Sequence, residues 1–207
     1  MAPEMKKSST SPVLLPREFY IHSPEVVAQR LLGKLLRHRF KGRNLTGRII
    51  EVEAYLGLTD PASHAFVGRT ARNAVLFGPP GVAYVYFIYG MYYCLNVSCL
   101  PDGEPGGVLF RALAPVEGMA TMAKLRGFPR DAKPHLLTGG PGRLCEALGI
   151  SREAQNGIDV TTPKSPLQIL DDGRGPGQVE ITTRIGIRKA ADRPLRFFVR
   201  PERKEKS

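Results

Sequence analysis

Apolar positions change their spacing from one segment of the chain to the next, and those changes divide it into elements. In "SPEVVAQRLLGKLL", Ser23 to Leu36, the residues Val26, Val27, Leu31 and Leu32 recur on one helical face. Ser23 is placed to cap that helix and Pro24 to open it. "TGRIIEVEAY" alternates instead, which is strand spacing. Ile49, Glu51, Glu53 and Tyr55 then fall on one face, with Ile50, Val52 and Ala54 on the other. A short helical segment is expected near "ARNAVLF", and "PPGVAYVYFIY" enters a strand in which Tyr84, Tyr86 and Ile88 share a face. "CLNVSCL" and "GVLFRALAP" read as a hairpin across "PDGEPGG". "PVEGMATMAKLRG" and "GPGRLCEALG" read as helices, each stopped by glycine, and "LQIL", "VEITTRIGI" and "PLRFFVR" as later strands. Strands and helices do not alternate regularly, and no phosphate-loop or dinucleotide glycine motif occurs. The pattern predicts a mixed α+β fold rather than a doubly wound one.

At 207 residues and 42% hydrophobic, the chain can bury one substantial core, so a single compact domain is expected. Residues 1–15, rich in Ser and Pro, read as a disordered leader and 201–207 as a basic tail, leaving 16–200 as the domain. No apolar run approaches the length of a bilayer span, and the N-terminus lacks the apolar stretch of a signal peptide. An intracellular place and no membrane partner follow as expectations. Three cysteines, Cys94, Cys99 and Cys145, suit a reducing compartment, and their spacing predicts no metal site. The charge changes the picture most. Thirty Lys and Arg against nineteen Asp and Glu give a net +11, spread along the chain rather than confined to its ends. That balance fits a polyanionic partner, nucleic acid first and an acidic membrane surface second.

Five of the seven tyrosines, Tyr84, Tyr86, Tyr89, Tyr92 and Tyr93, lie within ten positions of a chain that has no tryptophan. Such a run is ordinary in half-buried sheet. It also suits a surface that grips flat, partly polar groups, since tyrosine joins an apolar face to a polar tip. Glu51 and Glu53, on one face of their strand, stand about 7 Å apart. That separation matches the paired carboxylates of an inverting sugar hydrolase, so cleavage of a glycosidic bond is permitted, though not required.

Longer blocks are more specific. "RIIEVEAYLGLTDPASHA", "GVAYVYFIYGMYYCLNVS", "GVLFRALAPVEGM", "LLTGGPGRLCEALGI" and "RPLRFFVR", in order from about Leu15 to Arg200, resemble the alkyladenine (3-methyladenine) DNA glycosylase family. The resemblance implies a single domain around a curved antiparallel sheet with surrounding helices. It also implies removal of alkylated and deaminated purines from duplex DNA by base flipping, with no metal or organic cofactor and the chain acting as a monomer. By matching position, Glu53 would activate water and Arg111 would help place it. Tyr55, His64 and Tyr86 would sandwich the flipped base, Tyr84 would support His64, and the His64 backbone would meet the purine edge. Tyr89 would wedge into the duplex, and Asn96 would obstruct the amino group of guanine. Arg143, at an apparent helix start, is a candidate phosphate contact. Among the neighbours, Glu51 is read as a salt-bridge partner and Tyr92 and Tyr93 as packing or backbone-contacting residues. His22, His38 and His135 are read as surface or DNA-facing. Two other classes stay open from the residues alone: a DNA-binding protein without activity, and a hydrolase of free nucleosides or sugars.

Overall fold

The helix signalled at Ser23 forms as α1 (Pro24–Leu31), with Val27, Ala28 and Leu31 turned into the core and the Ser23 hydroxyl accepting the Val26 N–H. It stops short of the expected Leu36. Gly33 takes φ +82°, and a Cβ there would meet the Pro176 backbone at 2.9 Å, so the chain turns where only glycine fits. Leu35 and Leu36 belong instead to β2 (Leu35–Phe40), a strand that apolar spacing had merged into the helix.

The structure, a computed structural model, describes residues 11–200. The expected basic tail and residues 1–10 of the expected leader lie outside the described residues. The leader was expected to reach residue 15, but β1 (Val13–Leu14) pairs with β7 (Leu167–Asp171) and Leu15 is buried. The folded chain therefore begins ahead of that boundary.

The remaining strands are β3 (Arg43–Tyr55), β4 (Ala83–Ile88), β5 (Tyr92–Ser98), β6 (Gly107–Glu117), β8 (Val179–Thr182) and β9 (Arg196–Val199). All pair antiparallel in one sheet of order β1-β7-β2-β3-β6-β5-β4, with β8 and β9 branching from β3. The expected hairpin across "PDGEPGG" is β5–β6, and "VEITTRIGI" is strand only through Thr182. Helices α2 (Met119–Leu125), α3 (Pro134–Thr138), α4 (Pro141–Leu148) and α5 (Arg152–Gln155) complete an α+β domain. Among the described residues no helix is long and apolar enough to cross a membrane. One core, including Leu31, Leu36, Ile49, Val52, Phe110, Leu113, Met122, Leu144 and Leu148, lies between the sheet and these helices. A small satellite of Ala65, Leu76 and Tyr84 sits apart from it.

Strand β3 does most to position the site. Its first half pairs with β2, its second half with β9, and β6 runs along the other side of both. At its centre the register with β6 slips twice. Ile49 opposes Leu113 while Glu51 opposes Ala112, which leaves Ile50 extra on β3. Val52 then opposes Phe110, which leaves Arg111 extra on β6. Such bulges re-aim side chains. Ile49 is buried in the same core as Val52 and Ala54, and not on the face of Glu51 and Glu53 as strict alternation predicted.

Candidate active site

Glu53 is fully buried near the end of β3, and its carboxylate is surrounded by donors. Oε1 accepts the Ile185 backbone N–H at 2.8 Å and lies 3.2 Å from Arg111 Nη1. Oε2 accepts the Tyr55 hydroxyl at 3.0 Å. The Arg111 guanidinium is shared: its Nε donates to Glu51 Oε1 at 3.0 Å, and that same oxygen accepts Arg196 Nε at 2.8 Å. Glu51 thus has the salt-bridge surroundings expected of it, on the same side as Glu53. The Tyr55 hydroxyl is pushed well above its ordinary pKa, by burial first and then by the adjacent Glu53 charge. It stays a protonated donor at physiological pH.

Tyr55, Arg111 and Ile185 form part of the lining of a cavity of about 390 Å³, in the range of small-molecule sites. Its aromatic side comes from β4 and from the loop after β3. His64 and Tyr86 meet edge to face with ring centroids 4.5 Å apart, and Tyr84 lies 5.4 Å from Tyr86. His64 Nδ1 shares a hydrogen bond of 2.9 Å with the Tyr84 hydroxyl. Burial, and then the charge of Arg72, hold the His64 imidazole below its ordinary pKa, so it is neutral at physiological pH. Burial raises Tyr84, and Cys94, also in the lining, is pushed up to about 11.

The loop carrying His64 is built from short-range ties. Ser63 caps the 3-10 turn His64–Val67, and the buried Asn73 amide donates to the carbonyls of His64 and Gly68. Gly57, at φ +69°, sits so close to Pro105 that a Cβ would lie 1.8 Å from its carbonyl oxygen. No other residue fits that approach.

Asn96 on β5 also lines the cavity, 6% exposed, and donates from Nδ2 to the Tyr84 carbonyl at 3.3 Å. Tyr89 lies at the cavity mouth, at the tip of the β4–β5 hairpin, at φ +50° and 82% exposed. The structure therefore gathers Tyr55, His64, Tyr84, Tyr86, Tyr89, Asn96 and Arg111 around one cavity, with Glu53 just behind its surface. Arg143 is not among them. It is exposed on the first turn of α4, where Nη1 donates to the Gly139 carbonyl, and only its neighbour Pro141 reaches the cavity. Tyr93 packs on Phe87 and donates to Glu153, and Tyr92 covers Gly142.

Two features here carry no signal in the sequence, and a third differs from what the sequence predicts. The Ile185 N–H is a backbone group, and no residue type announces it. Arg184 and Asp60 form a pair with both side chains fully buried, next to Tyr55, and in sequence they are one cation among thirty and one loop aspartate. His38, expected at the surface, is 3% exposed: β2 lies between β3 and β7, and His38 Nδ1 bonds the Leu148 carbonyl at 2.7 Å.

A buried carboxylate behind an aromatic cavity suits water activation beside a flat, electron-poor group. Comparison with known proteins gives this arrangement a family. Residues 18–203 match the family described as methylpurine-DNA glycosylase. A protein of Koribacter versatilis is 56% identical over 185 residues, covering 89% of each chain. One of Burkholderia cenocepacia is 44% identical over 200 residues, covering 94% of each. One of Methanocella arvoryzae is 45% identical over 188 residues, covering 89% of this chain and 92% of its own. All three carry the name "Putative 3-methyladenine DNA glycosylase".

Proposed function

The chain belongs to the methylpurine-DNA glycosylase family and is a DNA glycosylase, a hydrolase of the N-glycosidic bond; from that premise we propose that it takes alkylated or deaminated purines out of duplex DNA by flipping them into the aromatic cavity. The carrying observation is the Glu53 carboxylate, buried behind that cavity and held by Ile185 N–H, Arg111 and the Tyr55 hydroxyl. A carboxylate offers about four lone-pair sites; the Ile185 N–H and the Tyr55 hydroxyl use two, and Arg111 lies against it as an ion pair, which leaves an acceptor site for water. Glu53 takes a proton from that water and steadies the positive charge that develops on the sugar as the bond to the base breaks. Arg111, paired with the same carboxylate at Oε1, helps place the water.

Extruding a base costs a few kcal/mol in lost pairing and stacking. Tyr55, His64 and Tyr86 return roughly 1–3 kcal/mol per stacked base, and more when alkylation has made the purine cationic. Tyr84 holds His64 in place, the His64 backbone meets the purine edge, and Asn96 sets an obstacle to guanine's amino group. Tyr89, raised on its hairpin, fills the gap left in the duplex, and Arg143 takes a phosphate. The chain works as a monomer on duplex DNA, in the compartment that holds it. A free-nucleoside hydrolase would have no use for the exposed Tyr89 or the +11 charge.

Glu53→Gln tests the reading, because the swap keeps the shape and removes the base. Release of a damaged purine from a defined duplex should stop, while binding to the same duplex stays within a few-fold of wild type. Release at the wild-type rate would remove Glu53 from the reaction, and wild-type activity on nucleosides but not on duplex would overturn the substrate.

A further inference from the structure

Against the Tyr55 ring, and not among the residues that line the cavity, lies a fully buried ion pair. Both terminal nitrogens of Arg184 donate to the two oxygens of Asp60, and Nη1 also donates to the Ala54 carbonyl at 3.0 Å. The guanidinium carbon stands 4.6 Å from the centre of the Tyr55 ring. Asp60 in turn accepts the backbone N–H groups of Leu56 and Ala62, each at 3.2 Å. Burial alone would raise the Asp60 carboxyl, and the hydrogen bonds from Arg184 and from the Ala62 and Leu56 backbone outweigh it, so it is held below its ordinary value.

We infer that Arg184 and Asp60 are positioning residues for base release, fixing both the aromatic wall and the donor that aims Glu53. Three parts of the site meet at this pair. The Tyr55 ring, whose hydroxyl bonds Glu53, rests against Arg184. Ile185, the next residue along from Arg184, presents its N–H to Glu53 Oε1. Asp60 ties down the loop that runs on to His64 four residues later, with the Ser63 N–H bonded to the Asp60 carbonyl at 2.8 Å.

Stability alone gives little reason to keep such a pair. Desolvating two charges costs several kcal/mol per ion, and apolar residues of similar volume are often as stable or more so. Arg184 Nε is also buried with no hydrogen-bond partner among the described residues, a further cost to folding. What an apolar pair could not do is fix direction: a planar fork locked on a carboxylate sets the ring beside it and the backbone after it.

The inference rests on Glu53 and Tyr55 acting as proposed above. It is tested with Arg184→Lys, which keeps the charge and loses the fork, and with Asp60→Leu/Arg184→Met, which leaves no charge unpaired. Two quantities are measured with wild type alongside: the single-turnover rate of base release at saturating enzyme, and affinity for a duplex carrying a stable abasic analogue, which puts no base in the cavity. Both variants should release base roughly 10- to 100-fold more slowly, the cost of small misplacements near reacting atoms. Abasic-duplex affinity, set by phosphate and wedge contacts, should stay within about twofold. Should Arg184→Lys fail to fold, the double variant decides by the same two measurements. A folded variant with the wild-type rate overturns the inference, and so does an affinity loss as large as the rate loss, which would make the pair general scaffold. If wild type itself releases no purine from duplex, it is the proposed function that fails.

Discussion

Arg111 divides its guanidinium between two carboxylates, and the division separates their roles. Glu53 is fully buried, whereas the Glu51 side chain is 22% exposed and also accepts Arg196. Glu51→Gln keeps an acceptor oxygen but removes the charge that holds Arg111 from behind. Single-turnover release should fall about tenfold, equivalent to ~1.4 kcal/mol, because Arg111 retains Glu53 as its second partner. Glu53→Gln measured in parallel should cost far more, and equal losses would mean that the two glutamates share the base role. At this scale much of the site was legible, since Glu53, Tyr55, His64, Tyr84, Tyr86, Asn96 and Arg111 all lie in distinctive blocks. The alternation also set Glu51 and Glu53 side by side correctly. It misplaced Ile49, because a bulge depends on the partner strand, and one strand read alone carries no register.

Between elements, the hidden strand β2 had the widest consequences. "LLGKLLRHRF" has apolar residues that continue a helix as readily as they begin a strand, and the deciding contact, Gly33 against Pro176, spans far-apart parts of the chain. Without β2, the sequence puts His38 at the surface or facing DNA. It is instead a buried pin: Nδ1 bonds the Leu148 carbonyl at the end of α4, and Nε2 meets the Gln155 amide of α5 at 3.3 Å. Gln155 Oε1 accepts the Ser151 N–H, and Asn156 next to it accepts the Val85 N–H of β4, so the pin extends to the aromatic strand. Burial lowers the His38 pKa from 6.5, outweighing the Leu148 bond that would raise it. The unfolded chain then binds more protons below about pH 6.5, and stability is lost as pH falls from there toward the folded value. His64, lowered in the same direction, adds to that loss. His38→Gln should be less stable at pH 7.5, where the two hydrogen bonds are strained or gone. It should also lose less stability than wild type between pH 7.5 and 5.5, by up to ~1.4 kcal/mol per pH unit. Urea midpoints at the two pH values give both numbers, and parallel losses would show that His38 contributes nothing to the acid limb.

Over the whole molecule, the sequence reveals how much positive charge there is but not where it acts. The cavity opens at the Tyr55 end of β3, beside Tyr89 and the start of α4. The basic hairpin of Arg39, Lys41 and Arg43 lies at the other end of the same strand. Thirteen residues of strand separate the two ends by roughly 40 Å. On the seating proposed above, with Tyr89 in the duplex, phosphates would fall near α4 and the far hairpin would lie beyond the screening distance of about 8 Å at physiological salt. Cations at the two ends should therefore differ in their effect on binding, although composition counts them alike. Each phosphate neutralised releases counterions and contributes about −0.9 to the slope of log K against log salt. Arg143→Ala should make the slope for undamaged duplex shallower by about 1, with similar weakening on every sequence. Arg43→Ala should leave both slope and affinity unchanged. Fluorescence anisotropy across a salt series measures the three slopes on one labelled duplex. If Arg43→Ala lowers the slope as much as Arg143→Ala, the duplex runs along the sheet and not across its Tyr55 end. A slope near zero for wild type would leave the +11 charge without a role in binding.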